Sequence, residues 1–296
     1  MSRFLFITDL HITTTCPVRT GNPLEDVYSK LRWCVDFVNE HDATLLLGGD
    51  IFDKPTVPLE AINMVIEVLR GCRRMPLGVW GNHDQLYRAA ENNPKCALYT
   101  LASSRVIALI DDCDVEFEDC TVTNVLPLQT SSSPQIFIYH GFLNQKDGRF
   151  TVPLSDIASP SSPTLVLLGH DHIEYADLEL SDSVTVVRPG SLFRNRRVET
   201  SERPPKGVYV EVSNGSISHR MVEVPARSFD SIFAVKTDGS VAPSEDVDYD
   251  KLLETLQASC GSDDLTFIDA LSSVADEDVV LYCEGVVAES LQSSAR

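Results

Sequence analysis

The chain has 296 residues, 43% of them hydrophobic and 23% charged, ordinary values for a folded globular protein. That composition excludes a disordered tail or a collagen-like repeat. The apolar runs at 135–139 and 164–168 are far short of the ~20 residues a spanning helix needs. Its 24 Lys and Arg against 44 Asp and Glu give a net charge of −20, of which residues 221–296 contribute −12; this argues against indiscriminate coating of nucleic acid.

In chain order, residues 3–8 read as a buried strand ending at Asp9. Leu24, Val27, Leu31, Cys34, Val35 and Val38 recur at three- and four-residue steps, the signature of an amphipathic helix. Residues 43–47 predict a second strand, closed by Gly48-Gly49-Asp50. Residues 58–70 predict a second helix, with Leu59, Ile62, Val65, Ile66 and Leu69 on its buried face. A third strand at 77–80 ends in Gly81-Asn82-His83-Asp84. The β-α-β-α-β order predicts a parallel sheet flanked by helices. A helix at 94–103 follows, then strands near 105–110, 115–118, 121–126, 135–139, 164–168, 184–188, 207–213 and 216–224. Ser- and Pro-rich loops at 130–134 and 155–163 separate some of them. After Pro225 the character changes to an acidic segment with a helical pattern at 249–259 and a strand at 279–284. A boundary is therefore expected near 225–230, with a main domain over 1–225 and a small α+β appendage over 226–296. The N terminus has no cationic region followed by a long apolar run, so no leader peptide is expected. Cysteines 16, 34, 72, 96, 113, 120, 260 and 283 form no C-x-x-C pair; they read as reduced core thiols of a cytoplasmic protein.

Five short patterns close predicted strands: Asp9-x-His11, Gly49-Asp50-x-x-Asp53, Gly81-Asn82-His83-Asp84, His140-Gly141 and Gly169-His170-x-His172. In open α/β sheets ligands collect beyond the carboxyl ends of the strands. Imidazoles, carboxylates and an amide oxygen are the donors that two adjacent divalent metals take. In D-x-H and H-x-H, alternate residues of an extended segment face one side, so both side chains can converge on one ion. Glycines before Asp50, Asn82 and His170 allow close backbone approach. Five of the seven histidines fall in these patterns; His41 and His219 do not, and read as solvated or hydrogen-bonded side chains. Asp53 reads as a cap of the following segment more readily than as a ligand.

With all five patterns in this order, the sequence closely resembles the calcineurin-like metallophosphoesterase superfamily from Phe4 to about Val224. The resemblance implies a four-layer α/β/β/α sandwich with a dinuclear site. Carried over by motif, it implies that Asp9, His11 and His172 bind one divalent ion and that Asn82, His140 and His170 bind a second, with Asp50 bridging the two. It further implies that His83 is the unligated catalytic histidine and that Asp84 orients it. Two such ions clamp a phosphodiester for in-line attack, and a histidine can supply the leaving alkoxide with a proton near neutral pH.

Within the superfamily, Gly49-Asp50-Ile51-Phe52-Asp53 resembles the G-D-[LVI]-F-[DH] form of the SbcD-type DNA repair nucleases, while the G-D-x-V-D-R-G form of Ser/Thr phosphatases is absent. Arg188-Pro189-Gly190-Ser191, then Arg203-Pro204-Pro205-Lys206-Gly207-Val208-Tyr209, is similar to the P-G-S…R-P-K-G-V-Y stretch of the same group, with one extra proline. Arg188, Arg194, Arg196, Arg197, Arg203 and Lys206 against Glu199 and Glu202 make an island of +4. It reads either as a solvated loop or as a phosphate-backbone track for DNA. The resemblance implies a nuclease that resects DNA ends and nicks single strands, with manganese ahead of magnesium, iron or zinc. It implies an SbcC-type coiled-coil ATPase partner, and a homodimer through helices 58–70 and 94–103 using Met64, Ile66 or Leu98. Only about 70 residues follow Pro225, room for a partial or reduced cap domain, as in a truncated chain or a short, for example phage-encoded, relative. The alternative is a small-molecule or cyclic-nucleotide phosphodiesterase built on the same ligands.

Overall fold

The apolar runs of the sequence form strands with both faces buried, as expected of sheet strands covered on two sides. Ser2–Ile7 (β1) sends Phe4 and Phe6 one way and Leu5 and Ile7 the other, none of them exposed. The computed structural model describes residues 1–233 except 17, 87–89, 129–130, 145–150, 158–159 and 195–201. The chain divides into two units, Met1–Val235 and Lys236–Arg296. The second lies outside the described residues, as do the helix expected at 249–259, the strand expected at 279–284, Arg196 and Arg197.

Two six-stranded sheets make up the first unit. In one, β1 runs parallel to Thr44–Leu47 (β2), β2 to Leu77–Gly78 (β3), and β3 to Ala108–Leu109 (β4). On the other flank of β1 lies an antiparallel hairpin, Lys206–Ser213 and Ser216–Glu223, turned at Asn214-Gly215. The second sheet has a parallel core of Thr121–Thr123 (β6), Gln135–His140 (β7), Thr164–Gly169 (β10) and Val184–Val187 (β12). Its edges are the antiparallel strands Asp114–Glu116 (β5) and Leu178–Ser181 (β11). Phe142–Asn144 (β8) and Thr151–Pro153 (β9) form a separate pair. Phe4, Phe6, Ile136, Ile138, Leu165, Leu167, Val208 and Val210 interdigitate between the sheets.

Pro23–Glu40 (α1), Leu59–Leu69 (α2) and Ala97–Ser103 (α3) cover the outer face of the first sheet. Asn22 caps α1 by accepting from the Leu24 N–H at 2.9 Å, with Pro23 at the first helical position, where its missing N–H costs nothing. Leu128, Val152 and Ile157, the last in Leu154–Ile157 (α4), pack on the outer face of the second sheet. The layers are thus α/β/β/α, the last one thin among the described residues. No helix among those residues is long and apolar enough to cross a membrane.

Several expectations are corrected. The third strand stops at Gly78, two residues early. The helix read at 94–103 splits where Cys96 is extended, into a 3-10 turn at Ala90–Lys95 and α3. Within the loop read at 155–163 lies most of α4, and β11 (Leu-Glu-Leu-Ser) was not foreseen because its alternation lasts only four residues and leaves three of them exposed. Leu59 is 74% exposed and Ile66 only partly buried, whereas Ile62, Val65 and Leu69 are buried as expected, with Ala61 and Val68 beside them. Leu98, named for a dimer interface, is buried in the core and cannot meet a partner.

A buried ion cluster braces the chain beside β1. Asp26 Oδ2 lies 2.7 Å from Arg19 Nη2 and 2.8 Å from Lys30 Nζ, all three side chains almost fully buried. The two cations also donate to the carbonyls of Arg194 and Leu192, both at 3.1 Å. Burial draws the Lys30 ammonium down to about 8 despite Asp26. Burial also opposes ionisation of Asp26, but Lys30 and Arg19 outweigh it and hold that carboxyl below its usual range. Leu192 and Phe193 in turn donate to the carbonyls of Thr8 and Asp9, at 3.0 and 3.1 Å. Asp26→Ala strands two buried cations, so urea unfolding is expected to show a loss of about 3–5 kcal/mol; a loss under about 1 kcal/mol would contradict the bracing role.

Candidate metal centre

The carboxyl ends of β1, β2 and β3 meet those of β7 and β10. His140, at the end of β7, donates from Nδ1 to the Gly48 carbonyl after β2 at 2.8 Å. His170, after β10, donates its backbone N–H to Asp9 Oδ2 at 3.0 Å. Asp9, His11, Asp50 and His170 all have positive φ, at 54°, 41°, 48° and 87°, a region that costs non-glycine residues of order 1–3 kcal/mol. The expected convergence of Asp9 and His11 by strand alternation is corrected by these angles. Both residues lie beyond β1 in tight left-handed bends, and the bends bring the side chains together. Between the loops there is no room for a side chain at Gly81, where a Cβ would lie 2.1 Å from the Asp50 backbone nitrogen.

Asp9 and Asp50 each have one oxygen held by N–H or O–H donors and one turned toward imidazoles. Asp9 Oδ2 accepts from the Thr8 hydroxyl (2.7 Å) and the His170 N–H. Asp9 Oδ1 is buried without a hydrogen-bond partner, 3.4 Å from His172 Nε2 and 3.8 Å from His11 Nε2. Those two ring nitrogens face each other at 3.0 Å. Asp50 Oδ1 accepts from the His83 N–H at 2.8 Å, while Oδ2 faces His140 Nε2 at 3.1 Å and His11 Nε2 at 3.8 Å. Asn82 Oδ1 is 3.0 Å from the same His140 nitrogen, and His170 joins Asp50 and His140 in one cluster. Because His140 Nδ1 must carry the proton given to Gly48, its Nε2 presents a lone pair when the ring is neutral. Converging lone pairs at these separations fit donors sharing an ion at ~2.1 Å.

The electrostatics agree. Burial opposes ionisation of Asp9 and Asp50, but facing imidazoles outweigh it and hold both carboxyls well below their usual range. Burial likewise opposes charge on His11, yet Asp53 and Asp9 raise it well above the ordinary value. His140 is held at about 9, Asp50 overcoming burial. His170 is pushed down to about 3 by burial and by the charge of His140. Without cations the cluster draws protons to supply positive charge, a need that divalent ions meet directly.

The family profile for calcineurin-like phosphoesterases matches residues 2–198. The chain belongs to that family. Calcineurin-like phosphoesterases are metal-dependent hydrolases of phosphoester bonds, and this chain is such an enzyme; members of the superfamily bind two divalent metals. It is 23% identical to the DNA double-strand break repair protein Mre11 of Aeropyrum pernix over 77% of its own length and 62% of that protein's, so it spans less than two thirds of this relative. Among solved structures it is similar to the NAD nucleotidase of Haemophilus influenzae (10% identity, 87% of this chain and 56% of that one, TM-score 0.46). It is also similar to a predicted phosphoesterase of Streptococcus pneumoniae (13% identity, 79% and 95%, TM-score 0.39).

In this calcineurin-like phosphoesterase, Asp9, His11, Asp50, Asn82, His83, His140, His170 and His172 come together, and other expected site residues do not act as read. Asp84 does not orient His83. Its oxygens accept from the N–H groups of Ile51 (3.2 Å), Phe52 (3.0 Å) and Gly81 (3.1 Å), tying two loops together. Burial and the Asp50 charge raise its carboxyl to about 7 against those bonds. The His83 ring is set instead by the Asp53 carbonyl, which accepts from Nδ1 at 2.8 Å. Asp53's carboxylate lies 3.6 Å from His11 Nδ1, where an orienting carboxylate belongs; the G-D-x-x-D spacing was its sequence signal.

The four described cations of the basic island are engaged within the protein. Arg194 is buried, Arg203 donates to backbone carbonyls, Lys206 pairs with Glu174 at 2.8 Å, and Arg188 stacks on Tyr175 at 4.0 Å. His41 bonds the Phe37 carbonyl and His219 pairs with Asp177, each at 2.9 Å. The six described cysteines form no disulfide.

Asp84→Ala leaves three buried N–H groups unpaired. Its unfolding free energy without metal is expected to fall by more than about 2 kcal/mol, whereas His83→Ala costs under about 1 kcal/mol. Equal losses in chemical denaturation would contradict the division of roles.

Proposed function

We propose that this phosphoesterase is a DNA nuclease of the SbcD type, cutting phosphodiester bonds at DNA ends and in single strands. The observation that carries the reading is the match to Mre11 along 77% of the chain, and the Gly49–Asp53 form supports it. On this reading Asp9, His11 and His172 hold one divalent ion and Asn82, His140 and His170 the other, with Asp50 between them. The carboxylate and amide oxygens suit manganese, while the imidazoles suit iron or zinc; the reading takes manganese. When bound, the ions polarise the phosphate and acidify a water.

The chain's own residues do the rest. Donation from Nδ1 to the Asp53 carbonyl fixes the His83 ring and leaves Nε2 as the nitrogen that can hand a proton to the leaving oxygen. Thr8 and the His170 N–H hold Asp9, and the His83 N–H holds Asp50. The reading names DNA as substrate, an SbcC-type ATPase as partner and the acidic C-terminal segment as a reduced cap. One observation favours the second reading, a small-molecule or cyclic-nucleotide phosphodiesterase: the described members of the basic island are engaged within the protein.

Digestion of end-labelled duplex and single-stranded DNA with manganese, run beside a cyclic nucleotide and a generic aryl phosphodiester, separates the two. The nuclease reading predicts DNA shortened by the wild type, with His83→Ala slowed about 10²–10⁴-fold and Asp50→Ala inactive. Inert DNA beside brisk, mutant-sensitive turnover of the small diesters would sink it.

A further inference from the structure

The His172 side chain is 30% exposed, against 0% for Asp9 and 1% for His11 in the same cluster. It stands beyond β10, outside any strand, and the described hydrogen bonds that hold its backbone run through its carbonyl. That oxygen accepts from the Ser191 N–H at 3.3 Å and from Arg203 Nη2 at 3.1 Å. The same Nη2 reaches the Ser191 carbonyl at 3.3 Å, so one guanidinium staples the His172 loop to the turn that follows Gly190. Glu174 lies 4.0 Å from Nη1, and Lys206 holds Glu174 at 2.8 Å.

The turn is built to admit this guanidinium. Gly190 has φ +73°, and a Cβ there would stand 2.1 Å from Arg203 Nη2 and 2.7 Å from the His172 carbonyl oxygen. Glycine is required by the backbone angle and by the approach of Arg203 together.

We propose that Arg203 is a positioning residue for the ion held by Asp9, His11 and His172: its guanidinium, seated against Gly190, fixes the His172 backbone so that the imidazole meets the other two donors. The proposal rests on the dinuclear reading of the site. It assigns a role to an arginine that the sequence offered as a DNA contact, and the sign of its effect is diagnostic. A cation near a metal site repels the ion, so an arginine acting only through its charge would, once removed, leave binding tighter. An arginine that positions a ligand leaves it weaker, by the about 10–100-fold that outer partners of metal ligands command.

The test is a titration of metal-free protein with Mn²⁺, following heat and free-ion signal, on wild type, Arg203→Met, Arg203→Lys and Gly190→Ala. One of two ions is expected to bind about 10–100-fold more weakly to Arg203→Met, the other within about twofold of wild type. Arg203→Lys recovers part of the loss, and Gly190→Ala reproduces it; these two carry the comparison if Arg203→Met does not fold. Unchanged or tighter binding in the variants overturns the proposal, as does equal weakening of both ions with a lowered unfolding midpoint. A wild type that takes up fewer than two ions overturns the dinuclear reading instead.

Discussion

Two buried carboxylates, Asp9 and Asp50, each keep one oxygen saturated by protein donors and one turned toward imidazole nitrogens. Charge so far from water is tolerable only where positive charge faces it. The carboxyl ends of strands from two face-to-face sheets must come together to supply the imidazoles, which is why the His140–Gly48 and His170–Asp9 hydrogen bonds run between the sheets. Four residues in left-handed bends are the local strain of bringing so many donors to one place. The two-sided hydrophobic packing of β1, β7 and β10 supplies the rigidity that holds the strain.

Basic side chains bind the backbone around this centre. Arg19 and Lys30 hold the carbonyls of 194 and 192, whose segment is bonded to Thr8 and Asp9. Arg203 holds the carbonyl of His172. These three cations thus meet backbone carbonyls beside the anionic cluster. Divalent ions are then the charge that an incoming phosphate meets at the cluster itself.

Much of this was legible in the sequence, for identifiable reasons. Strands buried on both faces leave unbroken apolar runs, so β1, β2, β7 and β10 were found nearly to the residue. Ligand types at strand ends identified the cluster because few other arrangements bring histidines, aspartates and glycines together there. What escaped was set by partners distant in sequence. Nothing in Gly81-Asn82-His83-Asp84 tells that the last carboxylate points away from the histidine, toward N–H groups of residues 51, 52 and 81. A run of arginines looks the same whether it faces solvent or the carbonyls of its own fold. The edge strand β11 alternates Leu-Glu-Leu-Ser over four residues only, too short a run to stand out from a loop.

The central claim is that two ions, not one, complete the cluster. Anomalous diffraction from crystals grown with Mn²⁺ tests it most directly. The account predicts two peaks, one among Asp9, His11 and His172 and one among Asn82, His140 and His170, with Asp50 between them. A single peak, or peaks away from these residues, would contradict it.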